Sequence, residues 1–510
     1  MTKDIQSGVL ILDFGSQYTQ LIARRFREMG VYSQIFPFNF SLEKIKELEP
    51  AGIILSGGPQ SVLDPEAYLR DVKDLEALAP VLGVCYGMQL VAQQYGGQVI
   101  KSDTREYGLS EIKVESKSLS QSTYKVWMSH GDVVDQVPSG FEVIATSENG
   151  LISSMASERI LCFQFHPEVT HTEKGNEFLD VFVKMCPRIS KKWKPANIIE
   201  DLTQRYLKEV PKDEKILCAL SGGVDSSVVA TLLTKIFGPE KVLCVFVDTG
   251  LLRKNEFEEV LKSYDGLGLN VKGVRASDQF YQALTGLDDP EAKRKAIGKT
   301  FIDVFKQNIP HDSNIKWLAQ GTLYPDVIES VSPTGSSVTI KSHHNVGGLP
   351  KDLDLKLIEP LRELFKDEVR RIGLELNIPS YLIGRHPFPG PGLGIRVLGE
   401  ITPEDVRTLQ DADAIYIEEI KKAGLYDQIW QAFAVLLPVR AVGVQGDART
   451  YDKVVALRAV TSVDGMTATW YPYTHEFLTK VSNRITNEVK GVNRVVYDVS
   501  SKPPGTIEWE

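Results

Sequence analysis

The sequence has few of the features that mark secreted, membrane-spanning or nucleic-acid-binding chains. It holds five cysteines in 510 residues, and no two are spaced as Cys-x-x-Cys, which argues against a disulfide framework or a cysteine-rich zinc site. No apolar stretch reaches the ~18 residues that a membrane span needs. The net charge is −9, whereas general nucleic-acid binding needs a basic face. We therefore expect a cytoplasmic protein with neither membrane nor nucleic acid as a partner.

The pattern of apolar runs predicts an α/β protein with several domains. Hydrophobic residues make up 42% and charged residues 25% of the chain, as in ordinary globular proteins. Short apolar runs at 9–12, 52–55 and 81–84 alternate with helical patterns, which is typical of a parallel sheet covered on both faces. We interpret the basic stretch 184–195 as a solvated linker without a partner. A second α/β pattern begins at 215, with a helix predicted over 227–237.

From residue 386 the pattern changes to mixed strands and helices, which predicts a small α+β module. The predicted domains are therefore 1–190, 191–385 and 386–510. The first two are expected to be successive, mostly parallel-sheet α/β domains.

The segment GVCYGMQ places Cys85 between a buried strand and a helix. Gly83 and Gly87 permit the tight strand-to-helix turn that exposes a nucleophile, and a helix N-terminus favours a thiolate. Alone, a buried structural cysteine would be the more frequent interpretation. His166 and Glu168 end another strand, and they offer the base and the orienting carboxylate that a cysteine nucleophile needs.

The motifs GVCYGMQ, SGGPQSV and HPEV together resemble the class I (triad) glutamine amidotransferases over roughly residues 7–185. The resemblance implies Cys85 as the nucleophile on glutamine, His166 as general base and acid, and Glu168 as the residue that orients His166. By the same analogy, the backbone N–H groups of Gly58 and Tyr86 form the oxyanion hole.

A second motif, SGGVDSS at 221–227, lies between a strand and a helix. Its glycines allow close backbone approach, and a helix N-terminus with serine hydroxyls suits a polyphosphate. Neither GxxxxGK[ST] nor GxGxxG fits the spacing. The motif resembles the PP-loop of the ATP pyrophosphatases, which implies an adenine-nucleotide α-hydrolase-like domain. Asp225 would hold Mg²⁺ with the ATP, and no organic prosthetic group is implied. The residues implied in ATP binding are Ser221, Gly222, Gly223, Val224, Asp225, Ser226, Ser227, Val247 and Lys341.

An amidotransferase ahead of a PP-loop domain, with IKSHHNVGGLP at 340–350, PFPGPGLGIR at 387–396 and the tail SKPPGTIEWE at 501–510, resembles the glutamine-hydrolysing GMP synthetases. The resemblance implies glutamine, ATP and xanthosine 5′-phosphate (XMP) as substrates. It also implies that the C-terminal module forms a homodimer. The residues implied in XMP binding are Arg294, Gln445, Lys502 and Glu508.

Two alternatives stay open on the sequence alone. A ligase of the same class that amidates another acceptor would keep all of this site chemistry. An interaction protein with inactive sites is the other, although every triad and PP-loop residue is present.

Overall fold

The computed structural model describes residues 2–115, 119–120, 122–308, 314–329, 355–445, 448–462 and 467–510. The chain divides into two compact units. The first unit comprises Met1–Ile198 and Pro325–Lys341, and the second unit comprises Ile199–Tyr324 and Ser342–Glu510.

A nine-stranded sheet forms the centre of the first unit. Its strands follow the order β2-β1-β3-β4-β9-β8-β7-β5-β6. The first five in this order are parallel, as the buried apolar runs predict, and the remaining four add to the edge in antiparallel fashion. The strands are β1 Val9–Asp13, β2 Ser33–Pro37, β3 Gly52–Leu55, β4 Val81–Val84, β5 Gln98–Val114, β6 Thr123–Gln136, β7 Glu142–Ser147, β8 Ile152–Ala156 and β9 Ile160–Phe163.

Six helices accompany this sheet: α1 Thr2–Gln6, α2 Thr19–Glu28, α3 Leu42–Leu48, α4 Val72–Leu78, α5 Tyr86–Gln94 and α6 Gly175–Met185. The sequence pattern predicts a helix over 88–95, whereas α5 begins two residues earlier, at Tyr86, because Cys85 itself is the N-cap. The nucleophile candidate therefore lies at the helix start rather than in a loop before it.

The interpretation of 184–195 as a solvated linker without a partner is wrong. Arg188 donates to the carbonyl oxygen of Pro50 at 2.6 Å. Lys191 pairs with Asp180 at 2.9 Å, and the backbone N–H of Trp193 donates to a carbonyl of the loop after α2 at 2.9 Å. The charges of this segment are therefore used to fasten it to the first unit, since neighbouring carbonyl and carboxylate groups offer them acceptors.

A five-stranded sheet, entirely parallel, carries the first half of the second unit. Its order is β12-β11-β10-β13-β14, and each neighbouring pair is parallel as expected. The strands are β10 Lys215–Leu220, β11 Val242–Asp248, β12 Asn270–Arg275, β13 Ile315–Ala319 and β14 Lys356–Ile358. The helices in this part of the chain are α7 Pro195–Glu209, α8 Val224–Phe237, α9 Glu256–Asp265, α10 Ser277–Leu284, α11 Pro290–Gln307, α12 Tyr324–Glu329, α13 Lys366–Glu375 and α14 Ser380–Ile383.

Helix α8 begins at Val224 and not at Ser227, which corrects the predicted start. Gly223 is the extended N-cap, with φ −84° and ψ 166°. Asp225 consequently lies in the first turn, where the positive end of the helix dipole stabilises a carboxylate.

The C-terminal third has the mixed α+β character that the sequence predicts. It contains α15 Pro403–Lys422, β15 Gln431–Gln445, β16 Ala448–Thr461, β17 Thr469–Trp470, α16 His475–Glu488 and β18 Val492–Tyr497. Strands β15, β16 and β17 are antiparallel, and β18 joins β16 in parallel. The sequence pattern predicts a helix over 403–422, and α15 has these bounds because Thr402 caps it and Pro403 occupies the first position, which needs no donor.

Buried residues from β10, β11 and α11 share one hydrophobic core with buried residues from α15, β15 and β16. The two parts thus form a single compact unit. The finer division into domains at residue 385 stays a prediction.

All five cysteines are buried free thiols. Among the helices that the structure describes, none is both long enough and apolar enough to cross a membrane.

Candidate functional site

Cys85 occupies a strained turn between β4 and α5. Its backbone has φ 52° and ψ −105°, a conformation that costs a residue with a side chain about 1–3 kcal/mol. The turn is held from both sides. The Cys85 N–H donates to the carbonyl of Phe163 at 2.7 Å, and the Cys85 carbonyl accepts from the N–H groups of Met88 and Gln89 in the first turn of α5.

Close backbone packing makes this turn possible. A Cβ atom on Gly87 would lie 2.5 Å from the carbonyl oxygen of Leu55, and one on Gly83 would lie 2.8 Å from the backbone of Gly87. Both positions therefore exclude any side chain. The result is a helix N-terminus seated directly on the sheet, with the Cys85 side chain at its end.

The structure brings His166 and Glu168 together with Cys85. His166 Nδ1 lies 2.7 Å from Glu168 Oε1. The imidazole packs edge-on against Tyr18, with ring centroids 4.9 Å apart. Both members of the pair are buried, with 3% and 1% of the residue surface exposed. The second carboxylate oxygen, Glu168 Oε2, has no hydrogen-bond partner among the described residues. Among the described residues, the hydrogen bond of the Glu168 carboxylate is therefore the one to His166.

The electrostatics of this pair favour a protonated imidazole. Burial by itself lowers the pKa of His166, because it penalises the charged form. The Glu168 carboxylate and the Cys85 side chain outweigh burial and hold the pKa well above its ordinary value. The raised pKa makes the neutral imidazole a stronger proton acceptor than an ordinary histidine.

The two predicted oxyanion positions are neighbours. A Cβ atom on Gly58 would lie 3.5 Å from the ring of Tyr86 and 2.8 Å from the carbonyl of Phe14. Tyr86 is the first residue of α5, so its N–H has no partner within the helix. Ser56 fixes the glycine turn, because its hydroxyl accepts from the N–H of Phe14 at 3.0 Å and donates to the carbonyl of Gly57 at 2.8 Å.

Two buried amides beside Cys85 escaped the sequence reasoning. Gln89 Nε2 donates to the carbonyl of Asp132 at 2.9 Å and lies 3.4 Å from Gln164 Oε1. Gln164 Nε2 is buried without a hydrogen-bond partner among the described residues. The available signal was helical spacing, since Gln89 lies one turn after Cys85 and therefore on the same face.

The PP-loop forms a compact turn between β10 and α8. Gly222 has φ +74°, which a side chain would strain. The hydroxyls of Ser221 and Ser226 lie 3.1 Å apart. The Ser227 hydroxyl has two partners within the fold, the carbonyl of Gly223 at 2.8 Å and the hydroxyl of Tyr264 at 2.9 Å. Ser227 thus shapes the loop, and its predicted contact with ATP stays a prediction.

Asp225 lies in the first turn of α8, and one of its two carboxylate oxygens has a partner among the described residues. One oxygen, Oδ2, pairs with Lys366, and the other, Oδ1, is buried without a hydrogen-bond partner among the described residues. Gly321 lies against Asp225, since a Cβ atom there would be 3.2 Å from the Asp225 Cβ. The described residues contain no cluster of three or more metal-ligating side chains. Asp225 with phosphate oxygens fits Mg²⁺, which is commonly held by one or two carboxylates plus substrate phosphates.

Two cations near the loop were missed because they lie far away in sequence. Lys366 is paired with Asp225. Arg385 donates to the carbonyl of Gly222 at 3.0 Å and pairs with Glu256. Both place positive charge beside the turn, as a polyphosphate site requires. Val247 is a buried residue of β11, the neighbouring strand, and its contact with ATP stays a prediction.

The C-terminal tail is firmly attached, in keeping with a functional role. Arg396 makes two hydrogen bonds to Glu508, at 3.1 and 2.8 Å. Arg294 donates to the carbonyl of Glu510 at 2.6 Å. The backbone of Lys502 pairs with Ala468 on both sides. The structure thus brings two of the predicted XMP residues, Arg294 and Glu508, into contact with other parts of the second unit.

Two predicted residues remain without a structural account. Lys341 lies outside the described residues, as does the whole of the polar segment 332–352 that contains it. Gln445 ends β15, and its side chain lies outside the description.

Three family models match the chain in the order that the sequence motifs predict. The models are glutamine amidotransferase class-I over residues 10–186, NAD synthase over 196–300, and GMP synthase C terminal domain over 418–509. Together with the Cys85 site and the PP-loop, they define a class of enzyme, the glutamine-dependent ligases that combine an amidotransferase with a PP-loop synthetase.

Curated relatives match over nearly full length. A glutamine-hydrolysing GMP synthase of Bdellovibrio bacteriovorus is 58% identical over 504 residues, covering 99% of this chain and all of the relative. Those of Chlorobaculum tepidum and Fusobacterium nucleatum are 54% and 52% identical, covering 100% and 99% of this chain and all of each relative. A solved structure from Thermoplasma acidophilum, described as that of a putative GMP synthase subunit, is 26% identical, with a TM-score of 0.32, over 35% of this chain and 93% of its own. The chain belongs to the glutamine-hydrolysing GMP synthases.

We predict that Glu168→Gln lowers the pKa of His166. The neutral amide removes the charge that offsets burial, so the imidazole should lose its proton at a lower pH than in the wild type. The chain has eight histidines, few enough for the ring of His166 to be followed by NMR of histidine-labelled protein.

Glu173→Gln is the matched control, because this nearby carboxylate is exposed and should leave the titration unchanged. An unaltered His166 titration in Glu168→Gln would show that Glu168 does not govern the protonation of the base.

Proposed function

We propose that the residues described above carry out the synthesis of GMP from XMP, ATP and glutamine, with ammonia made at Cys85 and consumed at the PP-loop. The observation that carries the proposal is the union in one chain of the 2.7 Å His166–Glu168 pair beside Cys85 and an SGGVDSS turn at a helix N-terminus. The names of the full-length relatives support the same reaction.

At the first site, the Cys85 sulfur attacks the side-chain amide carbon of glutamine. His166 accepts the thiol proton. Burial lowers the pKa of His166, but Glu168 and Cys85 raise it by more, so the imidazole can hold the proton until the amide nitrogen takes it. Ammonia leaves, and a γ-glutamyl thioester remains on Cys85. Water then releases glutamate, with His166 acting as base. The N–H groups of Gly58 and Tyr86 stabilise the oxyanion.

At the second site, the C2 oxygen of XMP attacks the α-phosphorus of ATP, and pyrophosphate leaves. Ammonia then adds to C2, and AMP leaves to give GMP. Lys366 and Arg385 place positive charge where the β- and γ-phosphates develop negative charge. Lys341 is proposed as a further phosphate contact, and Val247 as part of the adenosine pocket.

Mg²⁺ fits this site, and when bound it neutralises phosphate charge and orients the leaving pyrophosphate. Asp225 would hold it through Oδ1, the oxygen without a partner among the described residues. For XMP we propose Arg294, Gln445, Lys502 and Glu508. The free thiols accord with a reducing compartment, and we propose the cytoplasm.

We also propose that the chain forms a homodimer through the β15–β16 hairpin. Apolar side chains project into solvent from its two strands, with Val442 51%, Val444 76% and Tyr451 55% exposed. Exposed apolar residues clustered on one element are typical of a protein interface.

Because ammonia is made at one site and consumed at another, Cys85→Ala should lose one of two activities and keep the other. Without the thiol no thioester forms, so glutamine-dependent GMP synthesis should be lost. Synthesis with ammonium chloride at alkaline pH should persist, because free ammonia enters after the glutaminase step. AMP release with each nitrogen donor measures both. Cys186→Ala, which removes another buried thiol of the same unit, should retain both activities. Retained glutamine-dependent synthesis in Cys85→Ala would refute the assigned nucleophile.

We expect Asp225→Asn to abolish GMP formation with either nitrogen donor while glutamine hydrolysis stays measurable. The amide cannot replace a carboxylate toward Mg²⁺. Pyrophosphate release and glutamate release report the two halves separately. Asp265→Asn, an exposed carboxylate at the end of α9, serves as the control. Normal pyrophosphate release in Asp225→Asn would rule out this role for Asp225.

Light scattering at micromolar concentration should give the mass of a dimer without any ligand. Val442→Asp should shift the population to monomer, since it adds a charge to the apolar patch. Val499→Asp, at another exposed apolar position (59% exposed), should not. A wild-type monomer would exclude the homodimer.

A further inference from the structure

The first unit contains a buried histidine–carboxylate pair that the proposed chemistry does not use. His130 on β6 and Glu106 on β5 face each other in register, with His130 Nε2 3.3 Å from Glu106 Oε2. Their side chains are 2% and 4% exposed. Removing a carboxylate and an imidazole from water is costly, and such a buried pair commonly adds little net stability over apolar packing. A role in setting local geometry is therefore the better explanation.

Both ring nitrogens of His130 lie close to oxygen atoms, although Nε2 and Glu106 Oε2 do not form a hydrogen bond. Nδ1 lies 3.2 Å from the carbonyl oxygen of Asp132, and Nε2 faces the Glu106 carboxylate. Glu106 in turn accepts from Asn149 Nδ2 at 2.9 Å. The pair thus ties the middle of β6 to β5 and to the turn after β7.

The segment fixed in this way is the one that faces the nucleophile. The Cys85 thiol donates to the carbonyl of Ser129 at 3.8 Å. The carbonyl of Asp132, which faces the His130 ring, also accepts from Gln89 at 2.9 Å. The backbone of residues 129–132 therefore contacts Cys85 and Gln89 as well as the His130–Glu106 pair.

We infer that Glu106 and His130 are positioning residues that hold the backbone of residues 129–132 against Cys85 and Gln89 and so set the affinity of the glutaminase site for glutamine. This inference rests on the proposed role of Cys85. Neither residue is assigned contact with the substrate, and both act through the backbone of residues 129–132.

The first test is Glu106→Gln. The amide keeps the size of the side chain and an oxygen that can accept from Asn149, but it removes the negative charge from His130. We expect the KM for glutamine to rise about tenfold or more, because small displacements in a site are costly, with a smaller change in kcat. GMP synthesis from ammonium chloride should be unchanged. Glu111→Gln, an exposed carboxylate on the same strand, is the matched control and should behave as wild type.

Two substitutions of His130 separate its ring contacts. His130→Asn can still donate near the Nδ1 position to Asp132, whereas His130→Gln can reach toward Glu106 but leaves the Asp132 carbonyl with Gln89 as its remaining side-chain partner among the described residues. The inference predicts the larger rise in KM for His130→Gln. The double variant Glu106→Gln/His130→Asn should raise KM no more than the larger of its two single variants, because the residues act as one unit.

Chemical labelling separates positioning from general damage. In Glu106→Gln, inactivation by a diazo ketone analogue of glutamine should slow about as much as KM rises, while alkylation of Cys85 by iodoacetamide should keep its wild-type rate. An unchanged KM in folded Glu106→Gln would overturn the inference, and so would a parallel loss of the ammonia-dependent reaction. Glutaminase activity in Cys85→Ala would instead refute the proposed function itself.

Discussion

A close approach of backbone to backbone beneath Cys85 is the constraint on which the glutaminase site depends. Helix α5 contacts β3 through Gly87, where a Cβ atom would lie 2.5 Å from the carbonyl of Leu55, and β4 through Gly83. This packing keeps Cys85 at a positive φ of 52°. The strain is confined to this turn. The neighbouring strands β3 and β4 each have four consecutive buried residues, and this packing stabilises the sheet that holds the turn in place. The scaffold can therefore hold a conformation that an isolated turn would abandon.

The electrostatics of both sites follow from helix starts and buried carboxylates. Helix α5 starts at Cys85, the proposed nucleophile, and α8 starts within the proposed phosphate site. In the proposed mechanism, the positive end of each helix dipole stabilises negative charge. Glu168 has His166 as its hydrogen-bond partner at 2.7 Å, which explains why the pKa of the imidazole is raised against burial. Asp225, by contrast, retains one oxygen without a partner among the described residues, as suits a ligand for a cation.

The parts that the sequence predicts well are those coded by contiguous residues. The strands at 52–55, 81–84 and 215–220 and the helix Pro403–Lys422 lie at the expected positions, because each is a short apolar run or a capped amphipathic segment. The helices α5 and α8 start earlier than predicted, at Tyr86 and Val224. Their N-caps, Cys85 and Gly223, make no side-chain capping hydrogen bond, so the sequence pattern does not mark them as helix starts. The segment 184–195 was misjudged because its acceptors come from the loops near Pro50 and Gly30.

Features that depend on distant residues could not be predicted from local patterns. The contact of Lys366 with Asp225 joins positions 141 residues apart, and that of Arg385 with Gly222 joins positions 163 apart. The His130–Glu106 pair depends on the register of β5 with β6, which contains an irregularity before Glu106. Single-sequence periodicity carries no information on such pairings. The motifs nevertheless predicted the family, since each one concentrates its chemistry within a few residues.

The most direct test of the account is to trap the covalent intermediate. Enzyme turning over glutamine labelled with carbon-13 should be quenched in acid, digested and analysed by mass spectrometry. The account predicts one labelled γ-glutamyl group, located on the peptide that carries Cys85, and its absence from Cys85→Ala. A label on the peptide of Cys162 or Cys186, or undiminished glutamate production by Cys85→Ala, would contradict it.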